Sequence, residues 1–154
     1  MECYPIMSLR DPITGLPTFE LLKDRLVQSM AHHLRMEKKA VLLFLESRTK
    51  INDDFRSIIS KRLEQSVRST DTVAMLNNAT FIVLLTDLND SADALRVADN
   101  LINQCQAPYT EDLMRYRPSI GLSVFPDDAL NVDDWIRKAG LALENAKCES
   151  NGVY

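Results

Sequence analysis

Cysteine is scarce in this 154-residue chain: Cys3, Cys105 and Cys148 are odd in number and far apart. That excludes a disulfide framework and a clustered-cysteine metal site, and a reducing, cytoplasmic setting is the expectation. Long apolar runs are missing as well. The longest, Ala40 to Leu45, is six residues, against about 20 for a membrane span, so no membrane insertion is expected. The opening Met1-Glu2-Cys3-Tyr4-Pro5 has no basic stretch followed by an apolar one, so no signal peptide is expected. Neither sign of charge dominates. Eighteen Lys and Arg against 22 Asp and Glu leave a net charge of -4, which gives no field for steering nucleic acid or an anionic membrane. No repeat, low-complexity stretch or Gly/Ser linker divides the chain.

What is present is an ordinary globular composition. With 45% hydrophobic and 26% charged residues the chain can bury a core, which excludes a disordered segment. The length fits one domain, 1–154, with 1–17 as an opening segment and turn. Asp11-Pro12, Thr14-Gly15 and Pro17 punctuate that opening. Phe19, Leu22, Leu26, Met30 and Leu34 then recur at helical spacing. Ala40 to Leu45 reads as a buried strand. Asp53 or Asp54 is placed to cap a second helix with Phe55, Ile58, Ile59, Arg62, Leu63 and Val67 along one stripe.

Thr72 to Leu76 and Thr80 to Thr86 read as a hairpin, because Asn77 and Asn78 tolerate the left-handed backbone of a tight turn. Asp90 or Ser91 opens a third helix with Ala94, Val97, Ala98, Leu101 and Ile102 inward. Ser119 to Phe125 is a further strand, and Asn131 caps a last helix carrying Trp135, Ala139, Ala142, Leu143 and Ala146. A hairpin flanked by two strand–helix units is the split βαβ pattern. The expected class is α+β: a ferredoxin-like antiparallel sheet with helices on one face, to which an extra N-terminal and an extra C-terminal helix add.

Five segments, in order, resemble the GGDEF (diguanylate cyclase) family. They are Arg10-Asp11-Pro12-Ile13-Thr14-Gly15-Leu16-Pro17; Leu42 to Glu46 followed by Ile51-Asn52-Asp53; Arg68-Ser69-Thr70-Asp71-Thr72-Val73-Ala74; Ser119 to Pro126; and Ala139 to Lys147. The resemblance covers nearly the whole chain and implies a nucleotide-cyclase-like fold. Active members condense two GTP into cyclic di-GMP. They use divalent metal held by an Asp at the end of the first strand and an acidic residue in the signature hairpin, whose glycines let backbone approach the nucleotide.

At the signature this chain departs from the pattern. It reads Asn77-Asn78-Ala79-Thr80-Phe81: both glycines are Asn, the acidic pair is Ala79 and Thr80, and only Phe81, a packing residue, remains. Neither a methyl nor a neutral hydroxyl replaces an anionic ligand for Mg²⁺. Glu46 stands near the place of the first-strand Asp. Asn52 and Asp53 resemble the guanine-reading pair, but only 19 positions separate Asn52 from Asp71, and the family's Gly-His and Gly-Asp turns are gone. Gly140 and Glu144 stand where the family carries Asp and Tyr. Lys147 remains, while Asn151 sits where a phosphate-binding Arg is expected. The expectation is a degenerate domain without catalytic residues, cofactor or metal.

Arg68 and Asp71 resemble the family's Arg-x-x-Asp product-inhibition site. An Arg fork suits a guanine edge or a phosphate, and Asp accepts from guanine N1 and N2. A purely local role competes: Arg68 at the end of a helix favours its dipole, and Asp71 can cap a turn. Arg96 is the candidate for a further arginine. His32 and His33, adjacent on a helix, are expected to point to different faces, solvated, with no metal between them. The reading is a regulatory domain of cyclic di-GMP signalling that works through a protein partner, an adjacent signalling domain or a homodimer. The alternative is a cyclic di-GMP receptor at Arg68 and Asp71; a residual cyclase is the least favoured.

Overall fold

The computed structural model describes residues 10–48, 51–77, 79–105 and 118–148; Cys3, Asn78 and Asn151 lie outside them. Eight elements follow one another: α1 (Phe19–Met36), β1 (Lys39–Ser47), α2 (Asp53–Ser66), β2 (Thr72–Asn77), β3 (Thr80–Leu88), α3 (Ser91–Cys105), β4 (Pro118–Phe125) and α4 (Val132–Cys148). The four strands form one antiparallel sheet in the order β2-β3-β1-β4. This is the expected split βαβ arrangement.

The expectation of helices on one face needs correcting. β1 is buried on both sides: Val41, Leu43 and Leu45 enter one core with α2 and α3, and Ala40, Leu42 and Phe44 enter a second core with α1 and α4. A strand alternates its side chains between faces, so an unbroken apolar run marks a sheet covered twice. The first and last helices therefore form their own layer. α4 lies hard against β4, because a Cβ at Gly121 would come within 2.1 Å of the Leu143 amide nitrogen. Trp135 is fully buried there; its indole N–H donates to the Ser123 carbonyl at 3.2 Å, and the Ser123 hydroxyl donates to the Trp135 carbonyl at 2.9 Å.

The starts of α3 and α4 follow side-chain chemistry as expected. Asn131 accepts from the Asp134 amide and Asp90 from the Asp93 amide, both at 2.8 Å. α2, however, is capped by Asn52, which accepts from the Phe55 amide at 2.8 Å, and not by Asp53 or Asp54. Near the end of α1 the inward position belongs to His33, which is buried, while Leu34 is exposed. On α2 it is Arg56 that is buried, and Ile58 is exposed.

The segment before α1 is a strap over the sheet edge. Asp11 accepts from the amides of Ile13 and Thr14 and from the Thr14 hydroxyl, and Gly15 takes the left-handed backbone (φ +76°) the turn needs. Leu16 then enters the α2–α3 core, and the Pro17 carbonyl accepts from the Met75 amide at 2.9 Å. The edge strand β2 is thereby covered along part of its length.

Candidate functional site

Two places carry the residues singled out by sequence. The first is the end of the sheet where β1 meets the β2–β3 turn. Glu46 pairs across the sheet with Thr80, and the Ser47 amide donates to the Ala79 carbonyl at 2.9 Å. This ladder places Ala79 and Thr80 beside Glu46. Phe81 is fully buried in the α2–α3 core. At the turn, Asn77 uses its side-chain oxygen to accept from the Ala79 amide at 2.9 Å.

Among the described residues of the end of β1 and the β2–β3 turn the one carboxylate is Glu46, and it has a resident partner. The Lys147 ammonium, from α4, lies 2.7 Å from Glu46 Oε2 and 3.1 Å from Glu144 Oε2. The Thr80 hydroxyl donates to Glu46 Oε1 at 3.4 Å. The hydrogen bond to Glu46 chiefly, opposed by partial desolvation, raises the Lys147 pKa above its ordinary 10.5. Mg²⁺ is held by one or two carboxylates together with substrate phosphates and water. Here the strands offer Glu46 alone, already engaged by an ammonium and a hydroxyl, and the hairpin adds no acid. Among the described residues no group of three or more His, Cys, Asp or Glu is placed to hold a metal. Asn52 is committed too, since its oxygen caps α2, and Asp53 pairs with Arg56.

The second place is the turn between α2 and β2. Asp71 accepts at one oxygen from the Thr86 amide (2.9 Å) and hydroxyl (3.1 Å). Its other oxygen accepts from the Arg68 amide at 2.9 Å and lies 3.5 Å from Arg68 Nε. The Asp71 side chain is 3% exposed against 54% for Arg68, so the carboxylate is an internal fastener while the guanidinium faces solvent. Arg68 Nη2 also donates to the Thr86 carbonyl. The expectation that Arg68 sits in the last turn of a helix needs adjusting, because α2 ends at Ser66. Arg68 and Arg96 line one cavity of about 410 Å³ between the end of α2, the end of β3 and α3. Arg96 is held by Asp93 at 3.1 Å.

The histidines depart from expectation. His32 and His33 both reach β3: His32 Nε2 is 2.8 Å from Asp87 Oδ1, and His33 Nε2 is 2.8 Å from the Asp87 amide nitrogen. Asp87 has a left-handed backbone (φ 55°) in a bulge of β3 opposite Lys39–Val41. Its carboxyl is held below the ordinary 3.8, first by the hydrogen bond from His32. A sequence reading misses this because both the acceptor requirement and the bulge arise from a strand more than fifty residues away.

Elsewhere Asp127 joins Lys39 and Ser91. Cys148 is a free, exposed thiol. No helix among the described residues is long and apolar enough to cross a membrane.

Comparison with known proteins gives a consistent picture. The family model described as diguanylate cyclase, GGDEF domain, matches residues 8–152. The bifunctional diguanylate cyclase/cyclic di-GMP phosphodiesterase MucR of Pseudomonas aeruginosa is 30% identical over 160 aligned residues, covering 96% of this chain and 23% of MucR. The diguanylate cyclase TpbB of the same species is 29% identical, covering 92% of this chain and 36% of TpbB. The solved structure of the GGDEF domain alone of TpbB (YfiN) superposes with a TM-score of 0.83 at 28% identity, covering 93% of this chain and 91% of that one. The chain thus spans only about a quarter to a third of these curated relatives.

Proposed function

This chain belongs to the GGDEF family, whose relatives here act in cyclic di-GMP signalling, and from that premise we propose that it is a non-catalytic member. It serves as a regulatory, protein-interaction or dimerisation domain on the cytoplasmic side of such a pathway and does not condense GTP. The observation that carries the reading is the hairpin tip, which sets Ala79 and Thr80 beside Glu46 where family chemistry asks for acids. The Lys147 ammonium, at a position the resemblance retains, lies 2.7 Å from Glu46 and 3.1 Å from Glu144. Without a bound divalent cation neither the attacking hydroxyl nor the phosphate charge is managed.

A second reading, a cyclic di-GMP receptor, has one observation in its favour: Arg68 and Arg96 line the same cavity. Against it, the Asp71 carboxylate is bonded to Thr86 and Arg68, so Asp71 has to leave them before it can read a guanine. Two titrations separate the readings. Manganese followed by electron paramagnetic resonance is expected to leave the free-ion signal unchanged; one tightly held ion per chain that disappears in Glu46→Gln would overturn the non-catalytic reading. Calorimetry with cyclic di-GMP is expected to give no heat; binding that disappears in Arg68→Ala selects the receptor.

A further inference from the structure

The β3 bulge hands its polar groups to side chains. The Thr86 amide goes to Asp71, the Thr86 carbonyl to Arg68, and the Asp87 amide to His33. Buried backbone groups need such partners, and Asp87 holds a left-handed backbone that non-glycine residues rarely adopt. The bulge therefore depends on these three side chains.

One of the three is titratable in a way the others are not. His33 is 2% exposed. Its Nδ1 lies 2.6 Å from the Ser29 carbonyl, which only accepts, so Nδ1 carries the proton. Its Nε2 lies 2.8 Å from the Asp87 amide, which only donates, so Nε2 is bare. The ring is neutral in this arrangement by geometry alone. A second proton would set Nε2–H against the Asp87 N–H, two donors facing each other.

The surroundings give that proton somewhere to go only if the bulge moves. Asp87 Oδ1 is 3.9 Å from His33 Nε2 and is already bonded to His32. The His32 ring lies 5.0 Å from that of His33, centroid to centroid, so two charged rings repel. Arg25 of α1 lines the same groove, together with Asp71. Arg68 lies near enough to act on the Asp87 carboxyl through space. On the other side of the ring Glu37, Lys38 and Lys39 line a separate cavity.

We propose that His33 is a proton-operated latch on β3: neutral, it holds the Asp87 amide and fixes the bulge; protonated, it releases that amide and turns toward the Asp87 carboxylate. The Thr86 carbonyl that Arg68 holds belongs to the same peptide group as the Asp87 amide, so the latch links pH to the arginine-lined cavity. The inference stands whether or not the domain binds a nucleotide.

Solution NMR of the isotope-labelled chain tests it. Near neutral pH the His33 ring is expected to show its proton on Nδ1 and none on Nε2. On acidification the Asp87 and Thr86 amide resonances are expected to move together with the His33 ring. The exchange protection of the Asp87 amide should fall about tenfold, the scale of one buried hydrogen bond. His33→Gln offers a carbonyl acceptor that does not titrate and should abolish the transition at Asp87, whereas His32→Gln should keep it. A proton on Nε2 near neutral pH, an Asp87 transition that survives His33→Gln, or one lost in His32→Gln would overturn the proposal. Should His33→Gln fail to fold, the wild-type ring spectrum and His32→Gln decide it.

Discussion

At the scale of single residues, identity at the hairpin tip and at the α2–β2 turn decides what each place can do. Asp71 accepts from the Thr86 amide and hydroxyl and from the Arg68 amide. Removing a buried charged acceptor leaves its donors unpaired, so Asp71→Ala should cost about 2–4 kcal/mol in urea unfolding; a loss under about 0.5 kcal/mol contradicts the fastener role. Lys147 makes a different prediction. Its folded pKa is raised above the ordinary 10.5 by the hydrogen bond to Glu46. The stability it lends is thus fully present below that value and is lost as pH rises through the raised one. Melting temperatures across the alkaline range should therefore fall less steeply in Lys147→Met than in the wild type. The identities at the tip were readable from sequence, because Ala79 and Thr80 lack carboxylates whatever their geometry. The partner of Glu46 was not, since α4 brings Lys147 from a hundred residues away.

At the scale of elements, helix–sheet contacts explain both what sequence reveals and what it hides. The Asn131 and Asp90 caps were legible because capping is local. His33 was not: spacings of three and four residues both suit a helix, and hydrophobicity favours Leu34. The choice is made by the Asp87 amide, which needs an acceptor. The two-layer arrangement was signalled by the unbroken run from Ala40 to Leu45, each residue of which is buried. Gly121 carries a testable consequence. Its added Cβ would meet α4 backbone at 2.1–2.6 Å, which no rotamer relieves. Gly121→Ala should destabilise by about 3 kcal/mol or more, read by chemical denaturation, and an unchanged midpoint would contradict the packing of α4 on β4. Asp127 ties the start of β1 to the start of α3 through Lys39 and Ser91. Those bonds, from Lys39 first, hold its pKa below the ordinary 3.8. Its contribution is present above that value and is lost as pH falls through the lowered one, so Asp127→Asn should flatten the acid limb of a melting profile.

At the scale of the whole molecule, a sheet of the GGDEF type carries an ion pair between Glu46 and Lys147 at the end where β1 meets the β2–β3 turn. The fold is held by two cores, one on each face of the sheet, with Phe81 of the tip buried in one of them. The most direct measurement is incubation of the purified chain with GTP and Mg²⁺ or Mn²⁺, followed by chromatographic separation of the nucleotides. The account predicts GTP recovered unchanged; formation of cyclic di-GMP in proportion to protein concentration would contradict it.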